Sequence, residues 1–269
     1  MKNAAIKIGV VGLGAIGSVV AAALIKGMAG YEWVGACEVN EDAAARKIGL
    51  GADKIRFLSQ DELIAQCDWI VEALPALAAR DLAIKVLGAG KTLVAISSAA
   101  LLTYSEILET AQKSGRILIP SGAIAGIDAI SALSLQGLTS LELHTTKPPQ
   151  SFGNAPYIVQ NQIDVEAITS PQVIFEGSAR QAAAGFPANV NVAATLALAS
   201  RMNADDIRVK ITADPTTVYN THHITVDGGY SRLSFRIENK PDPQNPKSSA
   251  LTALSILSLL RRQTASVAI

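Results

Sequence analysis

One turn near the N-terminus constrains this chain more than any other feature. Gly12-Leu13-Gly14-Ala15-Ile16-Gly17 sits between a short β-branched run, Ile6 to Val11, and an Ala/Val/Leu-rich stretch without proline, Ser18 to Met28. The first reads as a buried strand and the second as a helix. A second strand, Trp33 to Cys37, ends at Glu38, about twenty residues past the last glycine. Strand, G-x-G-x-x-G, helix, strand and acid in this order form the fingerprint of a dinucleotide-binding βαβ unit.

Each position has a physical task. Gly12 permits the tight turn out of the strand, where a Cβ is costly. Gly14 lets the backbone approach a pyrophosphate, and Gly17 lets helix and strand pack closely. The N–H groups of the first helical turn, at Ala15 and Ile16, face the phosphates with the positive end of the helix dipole behind them. Glu38 is placed to accept hydrogen bonds from the adenosine ribose and to repel a 2′-phosphate. The next residues, Val39 and Asn40, supply no arginine. NAD is therefore expected, with NADP as the alternative if Arg46 or Lys47 swings in.

Composition narrows the remaining classes. With 49% hydrophobic and 17% charged residues, 269 positions suit a two-domain α/β protein with a large core. The formal net charge is +0, and no basic block interleaves with aromatics, so neither nucleic acid nor an anionic membrane is an expected partner. Lys2 and Lys7 ahead of an apolar stretch imitate a signal peptide, but the glycine fingerprint accounts for that stretch better. Elsewhere no uncharged apolar run reaches spanning length. Cys37 and Cys67 lie in apolar strand contexts without ligand spacing, which points to reduced core thiols, a cytoplasmic location and no metal site.

After Glu38 the βα alternation continues. Strands are predicted over Asp68 to Ala73, Thr92 to Ile96 and Arg116 to Pro120, with helices between them. That grammar gives a parallel sheet, and ligands in such sheets lie beyond the carboxyl ends of the strands. Glu38, Ala73, Ser97 and Ser121-Gly122-Ala123 occupy such ends and form one candidate rim. From residue 121 the pattern changes to alternating strands: Leu138 to Thr146, Gln172 to Phe175, Ile207 to Ala213, Thr217 to Val226 and Tyr230 to Glu238. Gly228-Gly229 is a hairpin signal. A helix is predicted over Ala179 to Arg201. The expected fold class is α/β: an N-terminal Rossmann-type parallel sheet over 1–120 and a second α+β domain over 121–244 with a mainly antiparallel sheet. The segment 245–269 is expected to be a C-terminal helix that packs back on the first domain through Leu251, Leu254, Leu257 and Leu260. Asn245 to Ser249 carries N-cap chemistry for that helix, or else presents Lys247 and hydroxyls to an anion.

Three histidines are present. Period-two alternation puts His222 beside Asn220 on the more apolar face of its strand and His223 on the polar one. His222 reads either as a tuned acid or base or as a satisfied structural histidine. His144 is expected to be exposed. Asn189 and Asn191 interrupt an apolar helix beside Pro187. They act either in capping and packing or as carboxamides aimed at the nicotinamide end of a cofactor.

Taken together, Val11 to Gly17, Ser121 to Ala129, Phe186 to Asn191, Asn220 to Ile224, and Glu238 to Pro241 through Asn245 to Ser249 resemble the L-aspartate dehydrogenase family over nearly the whole chain. Asn220 and His222 match its Asn-x-His, while Ser248 stands where threonine is usual after Asn-Pro-Lys. The resemblance implies NAD(P)-dependent oxidation of L-aspartate to iminosuccinate, which hydrolyses to oxaloacetate and ammonia. It implies His222 as catalytic residue, Ala123 and Asn189 as cofactor contacts, a homodimer, and a supply of iminosuccinate for pyridine nucleotide biosynthesis. A dicarboxylate also needs cationic or N–H partners, for which Ser121, Lys147, Asn220 and Lys247 are the candidates. The competing readings are another amino-acid dehydrogenase or reductase of the same architecture, or a non-catalytic NAD-binding regulatory protein.

Overall fold

The computed structural model describes residues 4–187, 191–242 and 245–268, with only the backbone described for 241–248. The chain divides into two compact units, Met1–Pro120 with Thr252–Ile269, and Ser121–Leu251.

The first unit is built from β1 (Ile6–Val11), α1 (Ala15–Ile25), β2 (Tyr31–Cys37), α2 (Glu41–Ile48), α3 (Gln60–Gln66), β3 (Trp69–Glu72), α4 (Ala76–Gly88), β4 (Thr92–Ala95), α5 (Ser98–Thr103), α6 (Ser105–Lys113) and β5 (Arg116–Leu118). Its five strands are all parallel, in the order β2-β1-β3-β4-β5. Ile8, Val10, Val71 and Val94 are buried across the sheet, which is why these segments read as continuous apolar runs rather than alternating ones. Asn40 caps α2 through a hydrogen bond from the Ala43 amide, and Ser59 with Glu62 forms a capping box on α3.

The second unit contains α7 (Ile127–Leu133), β6 (Ser140–Lys147), α8 (Pro156–Gln160), β7 (Gln172–Ser178), α9 (Ala179–Gly185), α10 (Asn191–Ser200), β8 (Arg208–Ala213), β9 (Asn220–Asp227), β10 (Arg232–Asn239), β11 (Pro241–Asp242) and β12 (Asn245–Ser249). The large sheet runs β10-β9-β6-β8-β7. Only β6 and β8 pair in parallel; the other pairings are antiparallel. One face is apolar: Leu141, Leu143, Val209, Ile211, Ile224 and Val226 are buried there. The other face is open and polar, with a shallow depression of about 710 Å³ lined by Glu142, His144, Glu176, Arg208, Lys210 and His223 among others.

Four sequence expectations change. The helix over 179–201 is two helices, because Pro187 lacks the N–H that an uninterrupted helix needs. His144 is half-buried rather than exposed, with its Nε2 on the Thr212 hydroxyl at 2.8 Å. Asn245 to Ser249 is a strand paired with β11 rather than the start of the helix; the final helix α11 runs Ala250–Thr264, and Ser249 supplies the expected N-cap, its Oγ accepting the Leu251 amide. The leucine stripe defines the packing face only in part: Leu260 lies in the core of the first unit and Leu257 packs against it. Leu254 is 54% exposed, whereas Ala253, Ile256, Leu259 and Leu260 are buried. Ile256, Leu259 and Leu260 join the core of the first unit, where Tyr31 Oη donates to the Leu260 carbonyl at 2.8 Å and Thr264 Oγ1 donates to the Ala29 carbonyl. Burial pushes the Tyr31 phenol up to about 12.

Candidate active site

In the first unit, β1 delivers the glycine loop to the carboxyl edge of the sheet. Gly12 has φ +89° and packs against β3: a Cβ there would lie 2.6 Å from the Ala73 carbonyl oxygen. A Cβ on Gly17 would collide with the Gly12 carbonyl. Both glycines are therefore demanded by the protein itself. Gly14 is different. Its φ is −65° and nothing lies within 4 Å of a Cβ built on it, so neither backbone nor packing requires glycine. An open cradle at Gly14 fits a ligand that must come against the backbone, as a pyrophosphate does. Helix α1 has Gly14 as N-cap, no capping side chain and no acid in its first turn, so the Ala15, Ile16 and Gly17 end keeps its positive character for an anion.

Glu38 closes this loop from β2. Its Oε2 accepts the Leu13 amide at 2.6 Å and its Oε1 accepts the Val39 amide at 2.7 Å. Oε1 also takes the Asn40 amide at 3.4 Å, which leaves the second lone pair of Oε2 for a hydroxyl donor. The next strand supplies a residue that sequence reasoning passed over. Glu72, 1% exposed, accepts the amides of Leu74, Ile96 and Ser97, with the Ser97 hydroxyl 3.0 Å away. Burial raises its carboxyl and those hydrogen bonds oppose the rise. Glu72 thereby fixes the rim at Ala73 and Ser97. Ser97 Oγ is engaged with the Leu74 carbonyl and with Glu72, so it serves that framework. A charged residue ending an apolar strand was the available signal.

In the second unit, the apolar sheet face turns polar at one end. His222 on β9 is 2% exposed, and its cross-strand partner on β6 is Thr145. Thr145 Oγ1 lies 3.0 Å from His222 Nδ1. Asn220 is 3% exposed, two residues away on the same face, while His223 points outward to Ser234 Oγ. On β6, Lys147 is 5% exposed and two residues beyond Thr145, which sets it on the same face. Asn239 ends β10 in register with Asn220, and its Nδ2 donates to the Ala123 carbonyl at 3.0 Å. Burial holds the Lys147 ammonium down to about 8. Burial, with Lys147 second, pushes the His222 imidazolium down to about 3, so the ring is neutral.

The second unit thus gathers Ala123, Lys147, Asn220 and His222, joined by Thr145 and Asn239, which the sequence did not single out. Alternation alone places Thr145 on the Leu141 and Leu143 face, but nothing in the sequence names its partner. Ser121 is half-buried and lies two residues before Ala123. Asn189 lies outside the described residues. Lys247 has its backbone on β12, and its side chain lies outside the description.

A neutral, enclosed imidazole beside a lysine and two carboxamides suits proton transfer at a small anionic substrate. A sequence profile described as aspartate dehydrogenase, C-terminal, matches residues 128–263. A second, described as the NAD-binding domain of homoserine dehydrogenase, matches residues 12–120. The L-aspartate dehydrogenase of Methanosarcina acetivorans is 37% identical over 263 residues, covering 96% of each chain.

The chain belongs to the L-aspartate dehydrogenase family.

The Bradyrhizobium diazoefficiens L-aspartate dehydrogenase is likewise 37% identical, over 98% of this chain and 94% of that one. The Methanococcus maripaludis enzyme is 40% identical over 95% and 96%. Among solved structures, the aspartate dehydrogenase of Thermotoga maritima shares the fold with a TM-score of 0.75 at 24% identity, over 98% of this chain and 99% of that one. A hyperthermophilic archaeal homoserine dehydrogenase in complex with NADPH has a TM-score of 0.60 at 11% identity, over 96% and 97%. The aspartate dehydrogenase match takes in Lys147, Asn220, His222 and Asn239; the NAD-binding match takes in the glycine loop, Glu38 and Glu72.

Proposed function

We propose that this protein oxidises L-aspartate with NAD(P)⁺ to iminosuccinate, released as oxaloacetate and ammonia, and that His222 is its catalytic residue. The observation that carries this reading is a buried, neutral imidazole held on Thr145 among Asn220, Lys147 and Asn239. Family membership supplies the substrate.

In this reading the first unit binds the dinucleotide through Gly12, Gly14, Ala15, Ile16, Gly17, Glu38 and the rim at Ala73 and Ser97. The bound nicotinamide provides the acceptor for the hydride that leaves the substrate Cα. The second unit does the rest. Lys147, with Ser121, Asn220 and Lys247, holds the carboxylates, because a buried cation recognises them at close range. The substrate amine must be neutral to lose hydride, and the His222 imidazole takes the proton that would otherwise keep it charged. A carboxylate arriving at Lys147 also offsets the ammonium that disfavours imidazolium, so the ring becomes a better base when substrate is bound. After oxidation the same imidazole passes protons for hydrolysis of the imine.

Ala123 and Asn189 complete the cofactor contacts in this account, and the enzyme works as a homodimer, which light scattering checks. Among the described residues no helix is long and apolar enough to cross a membrane. Following NADH formation over a panel of amino and hydroxy acids tests the function. L-aspartate should exceed every other substrate. Preference for homoserine, or no turnover with any member of the panel, would overturn the proposal.

A further inference from the structure

The reading of His222 as a base leaves open which ring nitrogen is basic, and the second sheet answers it. We propose that Thr145 is a positioning residue that keeps the His222 proton on Nδ1 and thereby leaves Nε2 as the nitrogen that accepts a proton. The inference rests on the catalytic role assigned to His222.

Thr145 and His222 are paired in register across β6 and β9, and both side chains are buried. Thr145 Oγ1 is 3.0 Å from Nδ1, so that nitrogen is committed to the threonine. A neutral imidazole has one N–H and one bare nitrogen. If Nδ1 were bare, it would accept from the Thr145 hydroxyl, the proton would sit on Nε2, and the ring would offer a donor where a base is needed. If Nδ1 carries the proton, it donates to Thr145 Oγ1 and Nε2 is bare. Only the second arrangement survives a catalytic cycle unchanged, since imidazolium also donates from Nδ1.

The surroundings make the threonine hard to replace. Ile211 is the partner of Thr145 on β8, and Ile237 is the partner of His222 on β10. The void beside Thr145 measures about 10 Å³ and is otherwise lined by apolar residues, including Leu143, Phe152, Phe186 and Ala193. A water needs two to four polar partners, and this apolar lining offers too few for one to take over the hydroxyl's place. Without the hydroxyl, an Nδ1–H would be buried unpaired, which is costly. The proton then moves to Nε2 and the base is lost.

The test uses the full-length protein labelled with ¹⁵N-histidine. Imidazole nitrogen shifts are read for the wild type, Thr145→Val and Thr145→Ser, with the His222 signals assigned by their loss in His222→Ala. The wild type and Thr145→Ser should carry the proton on Nδ1, and Thr145→Val on Nε2. In parallel, Thr145→Val should lose about 100-fold in kcat, with the NAD Kd within about twofold of wild type. Thr145→Ser should recover most of the loss. A wild-type ring protonated on Nε2 overturns the proposal, as does Thr145→Val with unchanged tautomer and turnover. If Thr145→Val does not fold, the wild-type tautomer and the pH profile of Thr145→Ser decide the question. Wild-type activity in His222→Ala would instead defeat the catalytic reading while leaving the tautomer measurement intact.

Discussion

Glu38 Oε2 accepts the Leu13 amide at 2.6 Å, so the acid that ends β2 is built into the glycine loop itself. This relationship ties cofactor choice to loop shape. A 2′-phosphate would have to approach a carboxylate whose position is fixed by three backbone amides, those of Leu13, Val39 and Asn40. Glu38→Ala is expected to raise the NAD Michaelis constant by about 10–100-fold, the loss of one charge-assisted interaction, and to narrow the preference over NADP. Steady-state kinetics with both cofactors check this; an unchanged ratio would remove Glu38 from the ribose site.

Gly14 and Gly17 should respond oppositely to alanine. At Gly14 the added Cβ meets nothing within 4 Å, so stability should change by no more than about 1 kcal/mol, the N-cap preference. NAD affinity should fall at least tenfold, because the methyl occupies the cradle. At Gly17 the Cβ collides with the Gly12 carbonyl, and the fold itself should suffer. Thermal melts combined with NAD titration separate the two outcomes.

Lys147 is a stability cost kept for a task. Its folded pKa, about 8, lies below the ordinary 10.5, so its contribution is most favourable above about 10.5 and is lost as pH falls through 8. At pH 7 the buried ammonium therefore weighs against the fold. Lys147→Met should raise stability at pH 7 by about 1–3 kcal/mol, and the advantage should shrink towards pH 10.5. The same variant should raise the aspartate Michaelis constant severalfold. In the wild type that constant should climb above pH 8 as the cation is lost. Melting curves at the two pH values and a pH series of KM are the checks.

Glu72 receives three backbone amides through its two carboxylate oxygens. Glu72→Gln turns an N–H₂ group toward at least one of them. The expected cost is about 2 kcal/mol, or roughly 4–8 °C in melting temperature for a unit of this size, with weaker NAD binding because the rim at Ala73 and Ser97 loosens. Differential scanning calorimetry and an NAD titration test both effects.

Much of this was legible in the sequence wherever local periodicity carries the information. The order from Ile6 to Glu38 defined the nucleotide unit, and alternation placed His222 and Asn220 inward and His223 outward, as found. The partners were not legible. Thr145 meets His222 across 77 residues, Asn239 reaches Ala123 across 116, and Glu72 meets Ser97 across 25. Such pairings depend on strand order, which no single segment encodes. The last helix misled in part, for a related reason. Its leucines repeat regularly, yet the buried face follows Ala253, Ile256 and Leu260 because small and large residues together fit the first unit.

Catalysis depends above all on the imidazole of His222. NADH formation from L-aspartate by His222→Ala and His223→Ala, compared with wild type at equal NAD saturation, tests it most directly. His222→Ala should lose 10²–10⁴-fold in kcat, the range for a lost general base, while His223→Ala stays within about twofold. Wild-type turnover in His222→Ala, with the loss appearing in His223→Ala instead, would contradict it.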